Sequence, residues 1–240
     1  MNWNLFFKRK QEYIKKVIYS LSQNFKDSEL SSPKTKRICF MAIAAILAIV
    51  IVFLLANKQS PQKQNNFDIA IKNYRNDIML YSKQFNLNPN YLMAVIMLES
   101  SGKPDVPCRF EPNVFKKLKD VKANKLAHLE YITSQDLKNA DEAALKNLAS
   151  SWGPFQLMGY KCIHLGIKIK DLRGPNALYY GVFWIDETYG EYVRQGRYQD
   201  AFHIHNTGHP VPTNGKYRTY DPKYVTKGIE YMKYFEQNMK

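Results

Sequence analysis

The sequence predicts an all-α domain carried behind a single transmembrane helix. Three observations support this fold class. A run of 19 residues, 38–56, contains no charged residue, no proline and no glycine. Beyond it, apolar residues recur every three or four positions, and no stretch alternates with a period of two. With 240 residues, 45% of them hydrophobic, the chain can form one membrane span and one globular core.

Residues 38–56 predict the transmembrane helix. As a helix, this run would be about 28 Å long, close to the hydrocarbon thickness of a bilayer. A buried core helix is the alternative, but such helices rarely continue this far without a polar face. A cleaved signal peptide fits less well, because the charged region before the run is long and "LLA" before Asn57 is a poor cleavage site.

The flanking charges predict the orientation of the span. Residues 1–37 contain nine Lys and Arg against three acids, whereas residues 57–66 are polar and only weakly basic. The positive-inside rule therefore places the N-terminus in the cytoplasm and residues 57–240 on the other side. Within 1–37, apolar residues at helical spacing predict a basic amphipathic helix, which would lie on the inner leaflet or bind a partner protein: Ile14, Val17, Ile18, Leu21 and Phe25.

The net charge of +14 leaves +8 for the part beyond residue 37. A basic domain commonly binds nucleic acid, but the predicted location excludes that partner. An anionic cell-wall polymer fits the location better. Residues 57–66 are the expected linker, and residues 67–240 the folded domain.

Helical periodicity defines the elements of this domain. One apolar stripe predicts the first helix: Phe67, Ile71, Tyr74, Ile78, Tyr81 and Phe85. The second helix has Asn88 as its N-cap and Pro89 at its first position, and it ends by Gly102. Further helices are expected at about 123–137, 140–150, 155–165, 175–195 and 198–206. A last helix begins at Asp221-Pro222, giving six to eight in all.

Glu99 lies near the end of the second helix, in the stretch "AVIMLESSGKPD". Its neighbours on the helix are apolar, and desolvation raises the pKa of a carboxyl group. The helix C-terminus also disfavours its ionised form. Both effects predict a carboxylic acid that is still protonated near neutral pH and able to protonate a glycosidic oxygen. The alternative is a solvated Glu99, paired with Arg109.

Four motifs resemble those of the soluble lytic transglycosylase and goose-type lysozyme superfamily. "ESSGKPD" is similar to the catalytic Glu-Ser motif, and "SSWGPFQLMGY" to the Gly-x-x-Gln motif. "AFHIHNTG" is similar to the third motif, and "YDPKYVTKGIEYMKYF" to the closing helix. The motifs occur in family order over residues 67–240. The resemblance implies a lysozyme-like fold, the peptidoglycan glycan strand as substrate, and cleavage of the MurNAc–GlcNAc bond without a cofactor.

The resemblance also implies a function for individual residues. Glu99 would be the single acid/base, Ser100 would hold local geometry, and Tyr224 would close the pocket. Gly153 would let backbone approach the sugar, while Gln156 would bind substrate or the catalytic region. Phe155 and Met158 would line the groove, and Asn206 would position the reacting sugar. His205 stands where the family usually has tyrosine, and an imidazole that titrates near neutral pH could alter the pH optimum.

Two other functions remain open at this point. A hydrolytic muramidase would use Glu99 with a second acid such as Glu111, whereas a non-catalytic scaffold of an envelope-spanning secretion, conjugation or motility apparatus would only bind peptidoglycan.

Cys108 and Cys162 could form one disulfide or stay as two free thiols. His203, His205 and His209 are close in sequence, but a helix directs residues two apart to different sides, so no metal site is expected.

Overall fold

The computed structural model describes residues 65–239. The predicted cytoplasmic segment, the transmembrane span and nearly all of the linker lie outside the described residues. Within 65–239, no helix has both the length and the apolar character needed to cross a bilayer.

The described part is mostly helical, as the sequence predicts. Its elements in chain order are α1 Asn66–Gln84, α2 Pro89–Ser100, β1 Arg109–Phe110, α3 Pro112–Lys122, α4 Ser134–Leu137, α5 Glu142–Leu148, β2 Ser150–Trp152, β3 Leu157–Met158, α6 Lys161–His164, α7 Ile169–Arg173, α8 Ala177–Arg194, α9 Tyr198–Thr207 and α10 Tyr224–Asn238.

Helix α2 is the centre of the domain. Every side chain from Tyr91 to Met97 is buried, and α1 and α10 pack along it. A helix that is apolar on all sides is stable only when other helices surround it. The Asn88 side chain accepts hydrogen bonds from the backbone N–H groups of Asn90 and Tyr91, as expected for an N-cap.

Two residues with left-handed backbone conformation follow helix α2 and end it. Ser101 has φ 54° and Gly102 has φ 72°. A Cβ atom on Gly102 would lie 2.5 Å from the Cβ atom of Ala70, so only glycine lets the chain pass this close to α1. The predicted end of the second helix is therefore confirmed, and Glu99 is fixed in its last turn.

The helices predicted at 140–150, 175–195, 198–206 and from Asp221 onwards are confirmed within a few residues. Two others are largely wrong. Of 123–137, only Ser134–Leu137 is helical, because Asn124 and Glu130 have positive φ. Of 155–165, only Lys161–His164 is helical, because the chain before it forms a hairpin. Helix α3 was not predicted, although Pro112 opens it and Leu118 and Val121 are buried on one face.

A small antiparallel sheet accompanies the helices, in the order β1-β2-β3. Arg109 pairs with Ser151, and Ser151 pairs with Met158. With strands of two or three residues, no alternation is long enough to be read from the sequence. The sheet brings the second half of the "SSWGPFQLMGY" segment to the wall of a cavity.

Candidate functional site

The carboxyl group of Glu99 is held in a largely apolar environment. Its side chain is only 19% exposed. Burial raises the pKa of Glu99 from 4.5 to about 7, against the smaller lowering effects of a hydrogen bond from Tyr224 and the charge of Arg109. The raised pKa predicted from the sequence is confirmed. The neighbouring Ser100 is buried, and its hydroxyl donates to the Ile96 carbonyl oxygen at 2.7 Å, which fixes the last turn of α2.

Tyr224 is the first residue of α10 and is buried beside Glu99. Its hydroxyl donates a hydrogen bond to Oε1 of Glu99. Burial, together with the nearby carboxyl group, raises the pKa of Tyr224 far above its usual value, so the hydroxyl stays protonated. The structure thus places the Tyr224 hydroxyl directly against the Glu99 carboxyl group, and its closing of a substrate pocket stays a prediction.

His205 approaches Glu99 from α9. Its Nε2 lies 3.7 Å from Oε1 of Glu99 and 3.3 Å from the carbonyl oxygen of Phe155, and its Nδ1 lies 2.5 Å from the hydroxyl of Tyr189. Because a carbonyl only accepts, Nε2 carries the proton and Nδ1 accepts from Tyr189. Burial lowers the pKa of His205 to about 4. The expectation that His205 titrates near neutral pH is therefore wrong, and it is a neutral donor at physiological pH.

Tyr189 is a site residue that the sequence analysis missed. It is buried within α8, and its backbone departs from helical geometry there, with φ −149° and ψ 18°. Burial raises its pKa well above the usual value, so its hydroxyl also remains a donor. In the sequence it looks like one more apolar position of a helix.

Gly153 and Gln156, which were expected to contact the sugar, instead stabilise the turn between β2 and β3. Gln156, at φ 47°, accepts a hydrogen bond from the Ser151 hydroxyl and donates one to the Gly153 carbonyl oxygen. A Cβ atom on Gly153 would lie 3.0 Å from that of Ala177, so Gly153 lets the turn approach α8. The close approach made at Gly153 is therefore to the protein itself.

Phe155 corrects one prediction. Its side chain is 1% exposed and packs on Gly181 of α8, so the ring belongs to the core and does not line a groove. Its carbonyl oxygen nevertheless accepts the hydrogen bond of His205. Phe155 therefore acts on the site through its backbone.

A cavity of about 580 Å³ opens beside His205. Four of the predicted site residues line it: Gln156, Met158, His205 and Asn206. Asn206 is exposed, and its Oδ1 accepts from the Tyr220 N–H at 3.3 Å. Glu99 is not itself a lining residue and lies behind His205. Gly153 lines a neighbouring cavity of about 700 Å³ together with Trp152 and Arg173.

The far wall of the 580 Å³ cavity contains residues that were not predicted: Glu130, Tyr131, Tyr160, Lys161 and Trp184. Glu130 accepts hydrogen bonds from the Tyr160 hydroxyl, at 2.6 Å, and from the Lys161 ammonium group. Glu130 is thus a carboxylate on the wall of the cavity itself, which Glu99 is not. The sequence analysis did not predict these contacts of Glu130, because it expected residues 123–137 to form a helix.

Both cysteines of residues 65–239 are free thiols, so the disulfide considered for Cys108 and Cys162 is not formed. Cys108 is exposed and Cys162 is buried in α6.

The two ring nitrogens of His203 both contact backbone groups. Nδ1 lies within hydrogen-bond distance of the His209 carbonyl oxygen, and Nε2 accepts a hydrogen bond from the Arg218 N–H. Within the described range, no three His, Cys, Asp or Glu side chains are grouped as a metal site.

The arrangement places a group that can give and take a proton near neutral pH next to the wall of the cavity. It contains one carboxyl group with a pKa near 7 and two neutral donors, Tyr224 and His205, beside it.

Comparison with family models, with curated proteins and with solved structures finds no match to this chain.

Proposed function

We propose that this chain is a membrane-anchored peptidoglycan lytic transglycosylase with a lysozyme-like catalytic domain. The observation that carries the proposal is the state of Glu99, a buried carboxyl group with a pKa of about 7 that is hydrogen-bonded by Tyr224. A glycosidic leaving group needs a general acid of this kind. The motif order in residues 67–240 supports the glycan strand as the substrate.

The reaction uses one carboxyl group twice. Glu99 gives its proton to the oxygen that bridges MurNAc and GlcNAc, and the C1–oxygen bond breaks. The C6 hydroxyl of the same MurNAc then forms a bond to C1, and its proton returns to the Glu99 carboxylate. No water is consumed, and the product carries a 1,6-anhydro-MurNAc end.

Tyr224 and His205 support both halves of this cycle. The hydrogen bond from Tyr224 and the dipole of the neutral His205 N–H group, with Nε2 3.7 Å from Oε1 of Glu99, stabilise the carboxylate that forms after proton transfer. Neither adds a positive charge that would hold Glu99 ionised from the start. Asn206 and Gln156 lie on the cavity wall next to His205, where they would contact the reacting sugar. Proton transfer of this type contributes about 10²–10⁴-fold, and positioning of the strand must supply the rest.

Several other acids are engaged elsewhere. Glu111 pairs with Arg109 at 3.0 Å, Asp171 caps α7, and Asp186 pairs with Arg194 at 2.6 Å. These contacts favour a mechanism with a single carboxyl group over the two-carboxylate mechanism of ordinary glycosidases.

A hydrolytic muramidase is the second candidate, because Glu130 lines the same cavity as His205. In that mechanism, Glu130 would activate water and the product would have a free reducing end. Against it, Glu130 already accepts hydrogen bonds from Tyr160 and Lys161, so fewer of its lone pairs are free to take a proton from water. Glu111, the acid named from the sequence, is not among the residues that line this cavity.

Digestion of purified peptidoglycan sacculi, followed by mass analysis, tests the proposal. We expect anhydro products, lighter by one water than hydrolysis products, and a loss of at least about 100-fold in rate for Glu99→Gln. Glu142→Gln, which removes an exposed carboxylate paired with Lys146, is the matched control and should keep full activity. Free reducing ends would favour the muramidase, and an unchanged rate in Glu99→Gln would favour a peptidoglycan-binding scaffold.

The location is part of the proposal. The charge asymmetry around residues 38–56 supports a single-pass inner-membrane protein with a cytoplasmic N-terminus and a periplasmic catalytic domain. Such an anchor restricts cleavage to strands near the membrane, as local opening of the wall for an envelope-spanning secretion, conjugation or motility apparatus would require.

A further inference from the structure

The cavity beside His205 has a far wall that the proposed chemistry does not use. A tight turn forms part of it, in which Leu129 and Ile132 exchange two backbone hydrogen bonds of 2.9 Å. Glu130 and Tyr131 are the two residues at the tip. Glu130 has φ 51°, a left-handed conformation that costs a non-glycine residue about 1 kcal/mol or more. Glycine would relieve this strain, so the presence of a glutamate there points to a use for its side chain.

The carboxylate of Glu130 is held in one position. It accepts from the Tyr160 hydroxyl and from the ammonium group of Lys161. Lys161 is itself held by the rings of Trp184 and Tyr160, with Nζ 4.3 Å and 5.0 Å from their centroids. The side chain of Glu130 is 41% exposed but that of Lys161 only 15%, so the carboxylate is the more accessible partner of the pair.

Tyr131 adds an open aromatic surface beside this carboxylate. It is 70% exposed although it is a large apolar residue, and it lines the same cavity. Its ring contacts the ring of His164, with centroids 5.0 Å apart. The side chain is thus supported from one direction and largely accessible from others.

We propose that Glu130 and Tyr131 form a sugar-binding subsite for a neutral N-acetylated amino sugar of the glycan strand. This inference rests on the proposed function, since it assigns a further contact to the same substrate. The ring of Tyr131 would cover the apolar face of the pyranose. The carboxylate of Glu130 would accept hydrogen bonds from sugar hydroxyl groups or from the N-acetyl N–H.

The charges at this wall favour a neutral ligand. An anionic group, such as a carboxylate of the peptide stem, would meet the more exposed partner Glu130 and be repelled. A cationic group would compete with Lys161, which already neutralises Glu130. A neutral hydrogen-bond donor loses neither interaction, and the lone pairs of Glu130 not used by Tyr160 and Lys161 remain available to it.

Binding of N-acetylglucosamine tetrasaccharide to the full-length chain in detergent tests this subsite. Glu99→Gln is the background, so that no turnover occurs, and titration calorimetry measures Kd. We expect Tyr131→Ala to weaken binding by about tenfold, the equivalent of one good contact. Tyr131→Phe keeps the ring and should bind within a factor of two of the background protein. Since Tyr131 is exposed, its truncation leaves the core intact.

Glu130→Gln should weaken binding by a similar factor, while Glu142→Gln, at an exposed Glu–Lys pair elsewhere, should not. Equal binding by Tyr131→Ala and its background would overturn the subsite, as would failure of the background protein to bind the tetrasaccharide. Tighter binding of stem-bearing strands that depends on Glu130 would assign the wall to the peptide instead.

Kinetics on sacculi separate this subsite from the proposed function. With Glu99 restored, Tyr131→Ala should raise KM about tenfold and leave kcat within a factor of two. A loss of kcat at unchanged KM in Glu130→Gln would mean that Glu130 acts on the reacting bond, and would overturn the subsite. If the wild-type chain cuts no sacculi but binds the tetrasaccharide through Tyr131, the function fails and the subsite stands.

Discussion

The protonation of Glu99 results from competing effects on one side chain. Burial raises its pKa, while the hydrogen bond from Tyr224 and the positive charge of Arg109 lower it. Burial is the largest effect, and the resulting pKa of about 7 gives comparable amounts of acid and base at neutral pH. A group that must first donate and then accept a proton functions best in that range.

Removal of the Tyr224 hydroxyl should change the pH dependence of the proposed reaction. Because this hydroxyl stabilises the carboxylate, Tyr224→Phe raises the pKa of Glu99 further, and the decline of kcat/KM above pH 7 moves to higher pH. Rates measured on soluble glycan strands between pH 5 and 9 test this. Tyr234→Phe on the same helix, whose ring packs on Phe67, is the control. A decline at the same pH in both variants would show that Glu99 does not set it.

The raised pKa also predicts the stability of Glu99→Gln. The folded protein keeps the Glu99 proton up to about pH 7, whereas the unfolded chain loses it near 4.5. The unfolded state therefore binds fewer protons between these values, and burial of Glu99 costs the fold up to about 3 kcal/mol as pH rises through the window. In thermal unfolding, the stability of Glu99→Gln relative to the wild type should therefore increase between pH 4.5 and 7. A difference that does not vary with pH would contradict the raised pKa.

Single residues were predictable where a local signal marked them. Glu99 was identified because a carboxyl group ends an apolar helix, and Tyr224 because the closing helix carries a recognisable motif. Tyr189 and Glu130 gave no such signal. Tyr189 acts through a departure from helical geometry, and Glu130 through a positive φ that the glutamate side chain does not favour. Both conformations are imposed by tertiary contacts.

Among the elements, the long helices were predicted and the hairpin was not. Helices α1, α2, α8, α9 and α10 have apolar periodicity over ten or more residues, and α2 also has Asn88 and Pro89 at its start. Strands β2 and β3 contain three and two residues, which is too short for a pattern. Their turn depends on side-chain hydrogen bonds of Ser151 and Gln156 that become visible only in the folded protein.

The contact between the hairpin and α8 predicts the effect of Gly181→Ala. A Cβ atom at this position would lie 2.2 Å from Cδ2 of Phe155, so the ring must move. We expect the free energy of unfolding to fall by about 1–3 kcal/mol. Activity should also fall, because the Phe155 carbonyl oxygen orients His205.

Chemical denaturation and sacculi digestion measure these two effects. The double variant Gly181→Ala, Phe155→Leu, which shortens the ring side chain, should recover part of the stability lost in Gly181→Ala. If the double variant loses the sum of the two single losses, the overlap of Gly181 and Phe155 is not the cause.

For the molecule as a whole, the location is predicted by charge rather than by the fold. Full-length protein should sediment with membranes after carbonate extraction, and protease added outside spheroplasts should cut the domain but spare residues 1–37. Replacing the eight Lys and Arg of residues 1–16 and 34–37 by glutamine should weaken this orientation. Release of the protein by carbonate would exclude a transmembrane anchor.

The free thiols of Cys108 and Cys162 have a consequence for how this domain matures. The described fold is held by helix packing around α2 and contains no covalent cross-link. Its architecture therefore depends on no disulfide, and we expect reducing agents to leave it unaltered. A domain held together in this way can fold equally well in oxidising and in reducing surroundings.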